Sequence, residues 1–336
     1  MSRPYGSILV AVLFLAALTP RAFAISTASG ISYAVPSTSL SGYSKTWKSS
    51  TEPDYYTYCV AWYWDDIYHT LTCTAYIIEK YLVSVVGDLY APGSSLYRTG
   101  YVRDLRTATS GYAFSLTGPK GVWQAQGQHY LEVEYYYVEC YAYYCGPPVY
   151  FGLSVADLGT TDANHAIIPL EVTYHTTVLN VSNTVVDSSI LTGTYGANTL
   201  LQTNNGGGDV ACPMSFVRSG PVYSFSQGDG EINSNLEALA VLDAPGRIHV
   251  VVAINWCMTV VPPGTVDGCT ANGYPDSIVV RPPATSTEGA IWAHEYGHEE
   301  ALSDGTTPGW VMYGTSSSGN TRVSQYECDV LRNPIN

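Results

Sequence analysis

Two histidines that enclose a glutamate carry the clearest chemistry in this sequence. His294 and His298 are four residues apart, and Glu295 directly follows the first of them. Residues four apart lie on the same face of a helix, so both imidazoles can bind one Zn²⁺ through nitrogen. The glutamate between them can hold and deprotonate a metal-bound water. Chance is a poor explanation for this spacing, because the whole chain contains seven histidines.

Two downstream residues extend the pattern in the way that a zinc site needs. Asp304 follows His298 by six positions, and Met312 lies eight positions further on, within Val311–Gly314. The stretch from His294 to Met312 resembles the metzincin clan of zinc endopeptidases, in particular its matrixin-like members and the snapalysin branch, whose third ligand is also an aspartate. The resemblance implies that Asp304 is the third zinc ligand and that Met312 forms the Met-turn beneath the metal.

The same resemblance implies a fold and an activity. A metzincin-like catalytic domain is α+β, with a twisted sheet before the motif helix and the Met-turn after it. Its activity is the hydrolysis of peptide bonds, in which Glu295 takes a proton from water as general base and returns it to the leaving amine. We expect a protein or peptide substrate to add antiparallel to an edge strand, predicted at Ser277–Val280.

Two positions depart from the metzincin pattern. Ala301 replaces the glycine at which the helix turns back. That turn favours a positive φ, which costs a non-glycine residue about 1 kcal/mol or more. Asp304 replaces the usual third histidine, and its carboxylate lowers the net charge of the metal site by one. We therefore expect the bound water to be less acidified than in a site with three histidines.

Other functions are compatible with the same residues. Glu327 is a rival third ligand, which would make the protein a gluzincin-type hydrolase. Alternatively, the protein is a secreted binding or adhesin protein with a vestigial metal site. The presence of Glu295 argues against a vestigial site, since a site that no longer catalyses a reaction has no chemical need for a general base. Two acidic loops, Asn204–Asp209 and Asp229–Glu231, could bind Ca²⁺, but neither follows the spacing of an EF-hand loop, so Ca²⁺ has no support.

Composition narrows the class of protein. The chain has 336 residues, of which 46% are hydrophobic and 12% charged, so it is globular and long enough for two domains. Its net charge is −14. This excludes a general nucleic-acid binder, because no basic field is available to neutralise phosphates.

Residues 1–24 have the features of a secretory signal peptide. Arg3 supplies a positive charge, Ile8–Leu18 is a short apolar run, and Ala22-Phe23-Ala24 is a small-x-small cleavage site. The run is too short to span a bilayer, and no later apolar run is long enough to do so. The sequence therefore predicts a secreted, extracellular protein without a membrane span, and it leaves the oligomeric state open.

The cysteines agree with export. All eight follow the signal peptide, an even number that predicts four disulfides in an oxidising compartment. Sequence alone permits many pairings, but proximity along the chain favours Cys59–Cys73, Cys140–Cys145 and Cys257–Cys269, with Cys212 and Cys328 left to close a long loop.

The remaining sequence divides into a tyrosine-rich half and a mixed half. In residues 25–160, short runs with a two-residue period, such as Leu131–Tyr137, are separated by turn residues, and we predict an immunoglobulin-like β-sandwich. In residues 161–336, the apolar run Ile248–Ile254 predicts a buried central strand, and Thr285–Glu288 predicts a capping box before the motif helix. The predicted fold is thus multidomain, an N-terminal all-β sandwich followed by a C-terminal α+β metzincin-like zinc peptidase domain.

Overall fold

The computed structural model describes residues 23–34, 39–65, 70–93, 95–115, 121–141, 144–257, 266–270, 274–281, 285–315 and 319–333. The predicted signal peptide lies outside these ranges except for Phe23 and Ala24, and so does the Thr285 side chain of the predicted capping box. Among the described residues, no helix is both long enough and apolar enough to cross a membrane.

The front half consists of strands in its described parts. They are β1 Ile25–Ala34, β2 Ser39–Lys48, β3 Tyr55–Asp65, β4 Thr70–Ala91, β5 Ser95–Asp104, β6 Thr107–Ser115, β7 Gly121–Tyr141, β8 Tyr144–Cys145 and β9 Val149–Leu170. All pairings among these strands are antiparallel.

The back half combines short strands with helices. The elements are β10 Val172–His175, α1 Asn183–Val185 with a π-helical continuation Val186–Leu191, α2 Ala197–Gln202, β11 Met214–Arg218, β12 Tyr223–Phe225, β13 Glu231–Ile232, α3 Asn235–Leu242, β14 Ile248–Val251, β15 Ala253–Ile254, β16 Gly268–Cys269, β17 Ser277–Val280, α4 Thr285–Glu299 and α5 Gln325–Leu331.

Three very long strands organise the front half. Strands β4, β7 and β9 have 21 or 22 residues each and lie side by side in a seven-stranded sheet whose main path is β11-β9-β7-β4-β3. A three-stranded sheet, β1-β2-β6, covers part of it. Buried Leu40, Leu89 and Trp123 belong to one apolar cluster that draws on both sheets.

The predicted fold class is wrong. Strands account for 52% of the chain and helices for 16%, in several sheets that include a half-barrel, so the chain is mostly β and not a clear α+β metzincin. The all-β character of the front half agrees with the prediction. Three of its strands, with 21 or 22 residues each, are much longer than the roughly 3–10 residues usual in globular proteins and than the short runs expected for an immunoglobulin-like sandwich.

The reason for the difference lies in long-range pairing. Strand β7 continues through Leu131–Tyr137 without a turn because β4 and β9 pair with it along nearly its whole length. The predicted boundary at residue 160 falls within β9. The end of that strand pairs in parallel with β11 of the back half, from Ala166↔Met214 to Leu170↔Arg218. Helix content is low because α1, α2 and α3 have 3, 6 and 8 residues.

A five-stranded sheet supports the helix that carries the histidines. Its order is β12-β10-β14-β17-β16. The prediction of a central buried strand at Ile248–Ile254 is confirmed for β14, whose four residues are all buried. Ile248 and Val279 from the sheet share one core cluster with Ile291 and Trp292 of α4. The apolar face of α4 is therefore fixed on the sheet.

The predicted edge position of Ser277–Val280 is wrong. Strand β17 has these bounds, but β16 pairs antiparallel on its outer side, with Gly268 opposite Val279 and Cys269 opposite Ile278. A strand of two residues gives almost no periodic signal, which is why the sequence did not reveal it. Strand β16 is the outermost strand of this sheet in the described residues.

All four predicted disulfides are confirmed, and no cysteine is free. Such a set of disulfides fits an extracellular protein. Cys212 and Cys328 are 116 residues apart in sequence and join the segment before β11 to α5. This bridge closes by far the longest loop of the four.

We expect the long-loop disulfide to contribute most to stability. Replacing both Cys212 and Cys328 by serine should lower the free energy of unfolding by about 5 kcal/mol, because the stabilisation grows with the length of the closed loop. The matched control is the serine pair at Cys140 and Cys145, which are 5 residues apart and should cost about 2 kcal/mol. Denaturant unfolding monitored by fluorescence measures both, and equal losses would contradict the loop-length argument.

Candidate metal centre

The two histidines of the motif are buried on one face of α4. On the opposite side, Tyr296 is fully buried and packs edge-to-face against Phe216, with ring centroids 4.8 Å apart. His294 and His298 follow the four-residue spacing and stack along the helix, with their rings 4.6 Å apart and nearly perpendicular. The packed face of the helix thus sets the direction in which both imidazoles point.

Backbone carbonyls fix the tautomer of both imidazoles. His294 Nδ1 lies 2.8 Å from the carbonyl oxygen of Val311, and His298 Nδ1 lies 2.7 Å from that of Leu302. A carbonyl oxygen can only accept, so each Nδ1 carries the proton and each Nε2 of the neutral ring has a free lone pair. Burial, and then the neighbouring His298, lower the pKa of His294, which favours its neutral form.

The two free nitrogens face each other. His294 Nε2 and His298 Nε2 are 3.1 Å apart, and with both protons on Nδ1 no hydrogen lies between them. Two lone pairs at this distance repel unless a cation lies between them. This arrangement is typical of a pair of metal ligands whose second ring nitrogens are held by backbone carbonyls.

Asp304 completes a three-ligand group. Its Oδ1 lies 3.4 Å from His294 Nε2 and 3.5 Å from His298 Nε2. Ligands about 2.0–2.2 Å from a tetrahedral ion are about 3.3 Å from each other, so all three separations fit Zn²⁺. Among the residues that the structure describes, this is the one group of three His, Cys, Asp or Glu side chains close enough to share a metal ion. The Asp304 side chain is 62% exposed, which leaves the group accessible from that side.

The turn after α4 brings Asp304 back towards the histidines. Ala301 has φ = 64°, as its position in the motif predicted. Its N–H bonds to the carbonyl of His298, and the N–H of Leu302 bonds to that of Gly297, both at 2.9 Å. This pair of hydrogen bonds is typical of a helix that is followed by a residue in the left-handed backbone conformation. The alanine therefore accepts strain at a position that glycine normally fills.

Met312 lies beneath the same helix. Its side chain is 2% exposed and touches Gly297, where an added Cβ would lie 2.9 Å from Met312 Cε. The preceding residue, Val311, supplies the carbonyl that holds His294. The turn at Val311–Gly314 thus packs against the helix and holds one of its histidines, and Tyr313 is outside the three-ligand group.

Glu295 is buried beside the ligands with one oxygen free. It is 4% exposed, and its Oε2 has no hydrogen-bond partner among the described residues. Burial raises the pKa of Glu295 to about 8, with smaller contributions from the charges of Asp304 and Glu299. The nearby Thr270 side chain lowers the pKa of this carboxyl group and so opposes the shift. A buried carboxyl group with a free oxygen, directly after the first histidine in the chain, is a candidate general base.

The rival ligand and the acidic loops have structural roles. Glu327 forms a capping box with Ser324 at the start of α5, so Asp304 and not Glu327 lies with the histidines. Asp209 accepts hydrogen bonds from Asn205 and from the backbone N–H of Val323. Asp229 accepts one from the backbone of Glu231. Among the described residues, neither loop belongs to a group of three side chains that could share a metal ion.

A buried charge network behind the helix was not predicted. Arg247 Nε donates to Glu299 Oε2 at 2.5 Å, and its Nη2 donates to Glu300 Oε1 at 3.1 Å. Both glutamate side chains are fully buried. The two adjacent acidic residues directly after His298 could have indicated such a network, because buried carboxylates need a cationic partner. No spacing in the sequence identified Arg247 as that partner.

Comparison with known proteins assigns no family. No protein-family model matches the sequence, and no curated protein matches it. The likeness to metzincins therefore rests on the residues from His294 to Met312 alone.

Replacing Ala301 by glycine should stabilise the protein. The left-handed conformation costs an L-residue roughly 1–2 kcal/mol, whereas the extra flexibility of unfolded glycine costs roughly 0.4–1 kcal/mol. We expect a net gain of roughly 0.5–1 kcal/mol in denaturant unfolding. The control is Ala290→Gly within α4, which should destabilise by about 1 kcal/mol. A loss of stability in Ala301→Gly would contradict the assigned backbone conformation.

The first turn of α4 should make stability depend on pH. Glu288 is 1% exposed, and burial raises its pKa to about 7, although Arg281 opposes the shift. A carboxyl whose folded pKa exceeds its unfolded value stabilises at low pH and loses that contribution as pH rises through the folded pKa.

Between about pH 4.5 and pH 7, the metal-free protein should therefore lose roughly 3 kcal/mol of stability through Glu288. Unfolding in a chelating buffer over this range measures the loss, and Glu288→Gln should remove that part of it. Glu231→Gln, at an exposed position, is the control and should behave as the parent protein. An unchanged pH dependence in Glu288→Gln would exclude this residue as its source.

Proposed function

We propose that the protein is a secreted zinc-dependent endopeptidase that hydrolyses peptide bonds in protein or peptide substrates. One observation carries the proposal. Two imidazole nitrogens and one carboxylate oxygen converge with separations of 3.1–3.5 Å, and a buried glutamate with a free oxygen lies beside them. The spacing suits tetrahedral Zn²⁺ with a fourth position open, as catalytic zinc sites have.

The residues of this chain then have distinct roles. His294, His298 and Asp304 would hold the metal, which, when bound, supplies Lewis acidity to the scissile carbonyl and to water. Glu295 accepts the proton of the attacking water at Oε2 and delivers it to the leaving amine. In the metal-free protein, burial raises its pKa above the ordinary value for glutamate, towards the range in which a base can both take and return a proton.

The sheet edge next to Glu295 suits an extended peptide. Strand β16 is outermost in the described part of its sheet, and Gly268 on that strand contacts the Glu295 side chain. A substrate that pairs with this edge by main-chain hydrogen bonds would pass directly beside the general base. In this proposal the substrate pairs with β16 instead of with Ser277–Val280, the edge strand predicted from the sequence.

Secretion and the metzincin likeness are parts of the same proposal. Four disulfides fit an extracellular location, and residues 1–24 have the pattern of a signal peptide. At the motif level, His294 to Met312 supports a metzincin-type site with aspartate as third ligand. The capping role of Glu327 weighs against the gluzincin alternative.

A groove in the front half favours a second candidate function, the binding of a ligand. It has a volume of about 710 Å³ and its walls include Tyr137, Tyr141, Tyr144 and Phe151. Tyr141 and Tyr144 are 71% and 69% exposed, more than sheet packing alone explains. Ligand binding in this groove would be the function of the protein if the metal centre had no activity.

Zinc content and casein cleavage of the mature protein test the proposal. We expect one bound zinc and peptidase activity in the parent, and loss of both in Asp304→Ala. Glu295→Gln should keep the zinc and lower kcat/KM by roughly 10²–10⁴-fold, because only the general base is removed.

Glu327→Ala is the control for the rival ligand and should keep both zinc and activity. If Asp304→Ala retained zinc and Glu327→Ala lost it, the third zinc ligand would be Glu327 and not Asp304. Full activity of zinc-loaded Glu295→Gln would contradict the mechanism. A parent without zinc and without cleavage would leave the aromatic groove as the functional part.

A further inference from the structure

One face of β7 carries the aromatic groove of the front half. Tyr137, Glu139 and Tyr141 alternate along this strand, so their side chains leave the same face at intervals of about 7 Å. All three line the groove. Tyr144 lies directly opposite Tyr141 in the β7–β8 pair, and Phe151 of β9 lines the groove as well. The described lining therefore contains four aromatic rings and one carboxylate.

A disulfide and a hydrogen bond hold the end of this groove in place. Cys140 lies opposite Cys145 in the ladder, directly next to the two tyrosines, and the two cysteines are bonded. The hydroxyl of Tyr141 donates to Glu139 Oε2 at 2.8 Å. Tyrosine has few torsions to lose when a ligand binds, and a site that is already ordered loses little entropy. The exposed rings are thus organised in advance as a binding surface.

The charge of the groove excludes several classes of ligand. Glu139 is the only charged residue in the described lining, so an anion would face a carboxylate that no lining cation neutralises. A neutral apolar molecule would remove water from that carboxylate without replacing it, which is costly. Among the described residues, Glu139 belongs to no group of three side chains that could share a metal ion. An organic cation is the class that remains.

The aromatic rings favour a quaternary ammonium group over a primary one. A primary ammonium is strongly hydrated and carries three N–H donors, for which the lining offers one carboxylate and the weaker tyrosine oxygens. A quaternary ammonium has no N–H donor, and its charge lies under an apolar surface of methyl groups. Aromatic faces attract such a group electrostatically, and several rings around it are the usual mode of its recognition. The groove volume of about 710 Å³ is in the range of small-molecule sites.

We infer that the aromatic groove binds a small soluble molecule that bears a quaternary ammonium group. The rings of Tyr137, Tyr141 and Tyr144 contact its methyl groups, and the Glu139 carboxylate balances its charge. The net charge of −14 favours the approach of a cation. Neither zinc nor the peptidase function is needed for such binding, which gives the second candidate function a defined class of ligand.

Titration of the mature protein with choline and with 3,3-dimethyl-1-butanol is the test. The alcohol has the shape of choline with carbon in place of nitrogen, so the difference between the two measures the charge alone. In a chelating buffer, calorimetry should show saturable binding of choline, about ten-fold or more tighter than binding of the alcohol. Equal affinities, or no saturable binding of choline, would overturn the inference.

Three variants locate the binding. Glu139→Gln keeps the shape of the side chain and an acceptor for Tyr141, and should weaken choline binding by about five-fold or more without affecting the alcohol. Tyr144→Leu removes one ring and should weaken choline binding by roughly 3–30-fold. The control is Tyr63→Leu, on β3 and 59% exposed but outside the described lining, which should bind as the parent. Parental affinity in both groove variants, or an equal loss in the control, would contradict the assigned site.

Vesicles of phosphatidylcholine distinguish the source of the ammonium group. Sedimentation of the protein with these vesicles, without measurable binding of free choline, would assign the groove to a membrane surface and overturn the inference. The zinc and casein assays remain separate. A parent that binds choline but neither binds zinc nor cleaves casein would refute the peptidase function alone. A parent that cleaves casein but does not bind choline would refute the ligand assignment alone.

Discussion

Two unprotonated imidazole nitrogens that face each other at 3.1 Å are the constraint on which the site depends. This contact is unfavourable in the protein alone, so other interactions must enforce it. The packed face of α4 sets the direction of both rings, and two backbone carbonyls hold the Nδ1 atoms. One of these carbonyls follows the left-handed turn at Ala301 and the other lies in the Met312 turn. Backbone interactions thus hold the two imidazoles in the geometry that the proposed metal site requires.

The same region concentrates features that reduce stability. Ala301 adopts a positive φ, and burial raises the pKa values of Glu288, Glu295 and Glu299 to about 7, 8 and 8. Such strain persists where the surrounding structure determines it, and it gathers at functional sites. Here the surroundings are the core between α4 and the five-stranded sheet and the Cys212–Cys328 disulfide. This core and this disulfide supply stability that offsets the unfavourable features of the site.

Local chemistry was predictable from the sequence, whereas long-range pairing was not. The four-residue spacing of His294 and His298, the turn at Ala301 and the disulfides all follow from short stretches or from sequence proximity. The lengths of β4, β7 and β9 depend on pairing with strands that are far away in the sequence. No local pattern of residues predicts over how many residues two strands pair. Strand β16 has two residues, too few for any period. The fold class was therefore wrong even though the residues of the site converge.

The partner of Glu299 shows what kind of information was missing. The two buried carboxylates after His298 need a positively charged partner. Arg247 is that partner only because the start of β14 lies under the end of α4. That single guanidinium faces two buried carboxylates, with Glu295 and Asp304 nearby, in a chain with a net charge of −14. Above about pH 8, where Glu295 and Glu299 are ionised, negative charge therefore exceeds positive charge around the histidines. A divalent cation held by the three ligands would relieve the contact between the imidazole nitrogens and offset this excess together, so binding of the proposed metal would stabilise the folded protein.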